Sequence, residues 1–183
     1  MKNFDYKILL IILAAVAAVI LLFVFAFQGV QNNAINLEEQ ITTAQSEIKI
    51  QEKRRADLIP NLVDCVKAYD KYEYYTLVDI IAARGTNSDA AVEEITTQIN
   101  AVAEQYPELK SNENYKQLMT ELATTENLIA QTRTNYNTWV SQYNSYVRKF
   151  PNKGILGMLG YEVQPFEKLT FDVSSDAPTN LFD

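Results

Sequence analysis

Apolar positions divide the chain into an uninterrupted N-terminal run and a longer part in which apolar and polar residues alternate. The run from Ile8 to Phe27 contains only Ala, Val, Ile, Leu and Phe over twenty positions. A helix of that length rises about 30 Å, the thickness of the hydrocarbon core of a bilayer. The pattern predicts one transmembrane helix, residues 8–29, which follows a short N-terminal flank, residues 1–7.

A cleaved signal peptide is the main alternative to an anchor at this position. The apolar region of a signal peptide usually has about 7–15 residues and ends in small side chains. This run is longer, and it ends in the bulky sequence FVFAFQG. We therefore expect that the helix is retained and that the chain contacts the lipid bilayer through Ile8 to Phe27.

Beyond the membrane run, apolar residues recur with helical spacing and predict an all-α, long antiparallel bundle at residues 30–149. The first helix, residues 30–84, has a coiled-coil-like apolar seam and a kink at Pro60. The second helix spans residues 89–105, capped by Thr86 to Asp89, and the third spans residues 112–149. A tight turn at Gly85 would make the second helix antiparallel to the first.

The C-terminal residues, 150–183, differ in character from the helices. They begin with a short, glycine-containing apolar segment and continue as an irregular, extended tail. The apolar segment either packs against the helices or contacts the membrane or a partner.

Charge and rare residues exclude several classes of function. The net charge is −7, histidine is absent and there is one cysteine. An acidic chain is an unfavourable partner for nucleic acid. Without histidine or a second cysteine, the chain lacks Ser-His and Cys-His catalytic pairs, histidine or Cys-rich metal sites and an internal disulfide. We expect a protein that is not an enzyme and that has no catalytic residue, metal or cofactor.

Polar residues on two of the predicted helices are the candidate site. The first helix contributes Arg54, Arg55, Asp57 and Asn61, and the third contributes Glu126, Asn127, Arg133 and Asn137. If the third helix runs back toward the membrane, Glu126 lies near the level of the two first-helix arginines. The residues then form either an ion-pair network that fixes helix register or a ligand pocket between helices.

Three segments of the chain resemble the LemA family of bacterial membrane proteins. They are KRRADLIPNLVDCVKAY from Lys53 to Tyr69, EQYPELKSNENYKQLMTEL from Glu104 to Leu122, and TENLIAQTRTNYNTWVSQYN from Thr125 to Asn144. The resemblance implies an N-terminal membrane helix and a helical-bundle domain, with no assigned enzymatic activity or cofactor. It also implies a domain on the cytoplasmic side of a bacterial cell membrane.

The charge pattern around the span favours the opposite topology. Lys2 and Lys7 precede the apolar run, and residues 28–47 contain no Lys or Arg. The positive-inside rule would then place the domain outside the cytoplasm. The two expectations for the side of the membrane remain open at this stage.

Two functions fit these predictions. The first is a membrane-anchored helical scaffold that binds a second copy of the chain or another membrane protein. The second is a membrane-tethered sensor that binds a ligand in the polar pocket between helices.

Overall fold

The computed structural model describes residues 6–86 and 88–170, except for the side chain of Lys7, and the described residues form helices and loops. The helices are α1 Tyr6–Lys67, α2 Lys71–Arg84, α3 Asp89–Gln105, α4 Pro107–Ser111, α5 Glu113–Arg148 and α6 Asn152–Met158. The predicted all-α class is confirmed. The expectations for residues 1–5, for Asn87 and for the tail at residues 171–183 lie outside the described residues.

The first helix ends earlier than its apolar seam predicted. Instead of one helix over residues 30–84, α1 ends at Lys67 and α2 begins at Lys71. The break is made by Asp70, whose carboxylate accepts hydrogen bonds from the backbone N–H groups of Tyr72, at 2.9 Å, and Glu73, at 3.2 Å. Such a cap satisfies donors at the start of a new helix, so it favours a break although the apolar spacing continues across it.

Pro60 lies inside α1, which continues through it without interruption. Proline lacks the N–H group that would normally bond the preceding turn. The next residue, Asn61, donates a side-chain hydrogen bond of 3.0 Å to the carbonyl oxygen of Asp57. The side-chain N–H of Asn61 thus adds a hydrogen-bond donor to the turn in which Pro60 lacks its backbone N–H.

The chain divides into two compact units. The bundle unit is Thr43–Asn135, and the terminal unit is Met1–Thr42 together with Tyr136–Asp183. Helices α1 and α5 each contribute residues to both units, whereas α2, α3 and α4 belong to the bundle unit and α6 belongs to the terminal unit.

Within the bundle unit, successive long helices alternate in direction. The start of α3 lies beside the middle of α1, because Asp89 pairs with Arg55, and its end lies beside the end of α1, because the rings of Tyr69 and Tyr106 are 6.2 Å apart. Thus α3 is parallel to α1, and the expectation of an antiparallel second helix was wrong, since α2 has already reversed the chain. Helix α5 then runs antiparallel to α1, because Arg54 pairs with Glu121 while the earlier Glu52 pairs with the later Arg133.

The core of the bundle unit is aliphatic and is supplied by all of its helices. Burying such side chains contributes about 1.5–3 kcal/mol each relative to leaving them in water. The buried members are Leu58, Ile59, Leu62, Val63, Val66, Leu77, Val92, Ile95, Ile99, Val102, Ala103, Leu109, Tyr115 and Leu122.

The apolar run at the start of α1 is not covered by the protein. Its most apolar window is 0% buried. Water would solvate such a surface poorly, whereas the apolar acyl chains of a bilayer would surround it favourably. By length and composition, α1 is consistent with a single-pass membrane anchor.

We predict that Asp70→Ala lowers the melting temperature of the detergent-solubilised chain by about 2–4 °C, because a lost cap costs about 1 kcal/mol. Asp64→Ala is the matched control, since that exposed aspartate lies near the C-terminal end of α1, where a negative charge is unfavourable. The control should leave the melting temperature unchanged or raise it slightly. Equal losses in the two variants would argue against the cap as the cause of the break.

Candidate functional site

Arg55 is the most deeply buried charged side chain described in the structure. It lies on α1 among core positions, and its side chain is 0% exposed. Its Nη1 donates to Asp89 Oδ1 at 2.9 Å and lies 3.3 Å from Glu126 Oε2. A buried guanidinium is tolerated only with such partners, because removing it from water costs several kcal/mol.

Arg133 joins the same group of charges from α5. Its Nη1 donates to Asp89 Oδ2 at 2.7 Å, and its Nη2 donates to Glu52 Oε1 at 3.1 Å. Asp89 therefore bridges two arginines on two different helices. These side chains are called the arginine cluster below, and they are Glu52, Arg55, Asp89, Glu126 and Arg133.

Electrostatics keep Asp89 and Arg133 ionised. The hydrogen bond from Arg133 lowers the pKa of Asp89 below its ordinary value, aided by Arg55 and opposed by partial burial. The same bond raises the pKa of Arg133. A carboxylate held in this way is a poor proton donor or acceptor near neutral pH, so the geometry suits a fixed ion-pair network better than acid/base chemistry.

The structure brings together three of the eight candidate residues, namely Arg55, Glu126 and Arg133. Arg54 instead pairs with Glu121 in a half-exposed ion pair. The side chains of Asp57, Asn61 and Asn127 are exposed, and Asn137 belongs to the terminal unit.

Two members of the arginine cluster were missed by the sequence analysis. Asp89 was interpreted as part of a helix cap, but Ser88 occupies the N-cap position, without a side-chain cap bond, and the Asp89 carboxylate turns to the arginines. Glu52 lies three positions before Arg55 on α1, a spacing that places both on one helix face. That spacing was the available signal.

No metal-ligating group is formed by the described residues. Among residues 6–86 and 88–170, no three His, Cys, Asp or Glu side chains gather in a way that could hold an ion. In the arginine cluster, the three carboxylates face guanidinium groups.

In the terminal unit, two tyrosines converge on one glutamate. The Tyr143 hydroxyl donates to Glu38 Oε1 at 2.9 Å, and the Tyr161 hydroxyl contacts the same oxygen. The backbone N–H of Gln164 donates to the Tyr143 hydroxyl at 2.9 Å. Burial raises the pKa of both tyrosines, so they stay protonated and act as donors at neutral pH.

Two asparagines on α5, seven positions apart, hold the chain that follows α6. Asn137 Nδ2 donates to the Leu169 carbonyl at 3.0 Å, while the Leu169 N–H donates to Asn137 Oδ1 at 2.8 Å. Asn144 Nδ2 donates to the Phe166 carbonyl at 3.0 Å. Asn137 therefore binds backbone groups within the terminal unit. The side-chain amides of the two asparagines supply the hydrogen-bond partners that the backbone of a neighbouring strand would otherwise provide.

A shallow groove of about 480 Å³ lies between α1 and α5 in the terminal unit. Hydroxyl, amide and ammonium groups share its lining with apolar surface in nearly equal measure. The lining residues are Asn33, Leu37, Ser141, Gln142, Ser145, Tyr146 and Lys149.

Helix α2 presents apolar side chains to solvent as well as to the core. Leu77 is fully buried, and Ile80 and Ile81 pack against the core. On the other side, Tyr72 is 77% exposed, Tyr75 is 64% exposed and Val78 is 37% exposed. These three residues, spaced three apart along one helix face, are called the α2 outer face below.

A family model described as the LemA family matches residues 44–181. Protein LemA of Metamycoplasma hominis is 30% identical over 141 residues, which cover 70% of this chain and 64% of that protein. Magnetosome proteins MamQ 2 and MamQ 1 of Paramagnetospirillum magneticum are 37% identical over 65 residues, or 36% of this chain and 24% of each relative. The matched part of the chain spans less than two thirds of the length of each of these relatives.

We predict that Arg55→Ala lowers the free energy of unfolding by about 3 kcal/mol, because it empties the space of a fully buried side chain and removes the ion pairs to Asp89 and Glu126. Arg54→Ala is the matched control. Arg54 is the preceding residue, but its ion pair is half-exposed, so the loss should stay within about 1 kcal/mol. Urea unfolding of both variants in the same detergent measures the difference, and equal losses would contradict the role assigned to Arg55.

The lowered pKa of Asp89 predicts an acid-sensitive contribution to stability. Above the ordinary carboxyl pKa of 3.8, Asp89 is ionised in the folded and the unfolded chain, and its ion pairs contribute in full. As the pH falls below that value toward the lower folded pKa, the unfolded chain binds the proton first and the contribution is lost.

The measurement is the melting temperature of the wild type minus that of Asp89→Asn, followed with pH. This difference should be largest above about pH 5 and should shrink below about pH 4. Asp57→Asn, at an exposed position on α1, is the control and should show no such trend. A difference for Asp89→Asn that persists unchanged to the lowest pH would refute the ionised bridge.

Proposed function

Because the chain belongs to the LemA family, whose members are not known as enzymes, we propose that it is a membrane-anchored helical scaffold. In this proposal, α1 holds the chain in the bilayer and the α2 outer face docks a second copy of the same chain. The proposal applies to either side of the membrane, since the anchor and the docking face belong to one chain.

The single observation that carries the proposal is the α2 outer face. A helix at the surface of a soluble bundle normally has a polar outer side. Here Tyr72, Tyr75 and Val78 occupy that side. Tyrosine is enriched at protein interfaces, because its ring supplies contact area at little entropic cost and its hydroxyl tolerates water.

Anchoring makes a second copy a suitable occupant of this face. Every copy is held in the same bilayer by the same helix. Confinement to the membrane also raises the effective concentration of one copy around another. A two-fold axis along the membrane normal would then pair the α2 outer face with itself.

The charges of α2 support pairing between identical helices. The chain as a whole carries a net charge of −7. Within α2, however, Lys71 and Arg84 balance Glu73 and Asp79. Two copies of α2 therefore meet without net repulsion, although the rest of the chain is acidic.

A ligand-binding sensor at the arginine cluster is the alternative proposal, and it has less support. An anionic ligand would be recognised by guanidinium groups, but Asp89 already engages Arg55 and Arg133. Such a ligand would have to displace that carboxylate, which is held ionised by the same arginines.

We predict that a cysteine on the α2 outer face crosslinks two copies of the chain in native membranes. Tyr75→Cys in a Cys65→Ala background should give a covalent dimer with a short bis-maleimide reagent. Lys116→Cys in the same background, an exposed position on α5 in the bundle unit, is the control and should remain monomeric. The readout is the dimer band on a denaturing gel.

Substitution on the same face tests whether it contributes binding energy. Tyr72→Glu, introduced beside Tyr75→Cys, should weaken dimerisation by about tenfold or more, as expected for an interface hot spot. Ile50→Glu is a matched control, because Ile50 is 62% exposed in the same unit but lies on α1. Any of three results would reject the α2 outer face as the docking surface. The dimer band could be absent for the cysteine at position 75, it could be equally strong for the cysteine at position 116, or Ile50→Glu could reduce it as much as Tyr72→Glu does.

A further inference from the structure

The turn between α5 and α6 places cationic and apolar side chains together on the surface of the terminal unit. Arg148, Lys149 and Lys153 are exposed there. Phe150 is 94% exposed and Met158 is 77% exposed. These five residues are called the α5–α6 corner. A fully solvated phenylalanine is unusual in a folded protein, and here it directly follows two consecutive cations, Arg148 and Lys149.

Contacts within the terminal unit locate the corner at the end of the apolar run. The Tyr146 hydroxyl donates to the Val30 carbonyl at 3.2 Å, and Val30 is three positions beyond Phe27, or about 4.5 Å along the helix axis. In this unit α5 runs antiparallel to α1, because Tyr143 contacts Glu38 and Tyr146 contacts Val30. Residues after Tyr146 therefore approach the level of Phe27.

The charge around the corner is opposite to that of the chain. The net charge of the chain is −7, yet no Asp or Glu occurs from Asn127 to Tyr161. The cations of the corner thus lie in a segment without acidic neighbours in sequence. They also lie within about one Debye length, roughly 8 Å, of the level at which α1 leaves the apolar run.

We propose that the α5–α6 corner docks on the anionic headgroups of the bilayer that α1 crosses. This inference rests on the proposed anchor. Arg148, Lys149 and Lys153 bind lipid phosphates, and Phe150 with Met158 enters the boundary between headgroups and acyl chains. Interfacial protein segments combine basic and large apolar side chains in this way.

The position of the corner favours a lipid surface over a protein partner. The corner lies at the end of a surface that lipid already covers, the run from Ile8 to Phe27, so one bilayer can occupy both without a gap. The shallow groove between α1 and α5 lies at the same end of the terminal unit, and there Lys149 and Asn33 offer hydrogen-bond donors to a lipid headgroup. Each cation near an anionic surface strengthens binding about fivefold.

The test uses the full chain in nanodiscs, with a fluorophore on Gly154→Cys in a Cys65→Ala background. A Cβ at Gly154 meets nothing within 4 Å, so the label fits without disturbing α6. One set of discs contains nitroxide-labelled headgroups and a matched set contains nitroxide-labelled acyl chains. Each set is made with phosphatidylcholine alone or with phosphatidylcholine and phosphatidylglycerol. Two further labels serve as references, Leu13→Cys within the apolar run and Lys168→Cys in the chain that follows α6.

We expect headgroup nitroxides to quench the label at position 154 more strongly in phosphatidylglycerol discs than in neutral discs. Replacing Arg148, Lys149 and Lys153 by Gln should abolish that excess, and Phe150→Ser should reduce the quenching in both lipids. Acyl-chain nitroxides should quench the label at position 13 in every disc, and the label at position 168 should remain unquenched.

Each of the other quenching results would contradict a different part of the proposal. If position 13 is quenched but position 154 behaves like position 168, the corner proposal fails and the anchor stands. If position 13 is also unquenched, the anchor itself fails. Equal quenching of position 154 in both lipids, unchanged by the Gln substitutions, overturns the recognition of anionic headgroups.

Discussion

The bundle unit depends on one constraint, which is that a guanidinium buried at 0% exposure must keep its carboxylate partners. Arg55 lies on α1, Asp89 begins α3 and Glu126 lies on α5, so the requirement acts on three helices at once. Asp89 also binds Arg133, which couples α3 to a second point on α5. A slip of α1 by one turn would move the buried Arg55 away from both Asp89 and Glu126, at a cost of several kcal/mol.

This arrangement determines what α2 can do. Helices α1, α3 and α5 share the arginine cluster, whereas α2 joins the bundle through aliphatic contacts such as Leu77 and a separate, exposed ion pair between Arg84 and Glu94. Its other side is free of the ion-pair network and carries exposed tyrosines. The fold therefore separates the residues that fix helix register from the residues proposed to bind a second copy.

The sequence predicted some features of this fold and missed others for identifiable reasons. Helical spacing predicted the all-α class, because that class depends on local periodicity. The direction of α5 was left open, and the sequence placed Glu126 near Arg55 only on the condition that the helix runs back toward the membrane. The break at Asp70 was missed, since one side-chain cap outweighs an apolar period that continues through Tyr69 and Tyr72. Asp89 was assigned to a cap, because its true partners lie far away in sequence and their proximity depends on tertiary register.

The proposed function requires a shared membrane and a self-complementary helix face rather than a reactive site. The most direct test counts the copies of the full chain in discs of native membrane excised without detergent, by native mass spectrometry. We expect two copies per disc, even when expression is low enough that random capture of two copies is rare. A single copy in every disc under those conditions would contradict the proposal.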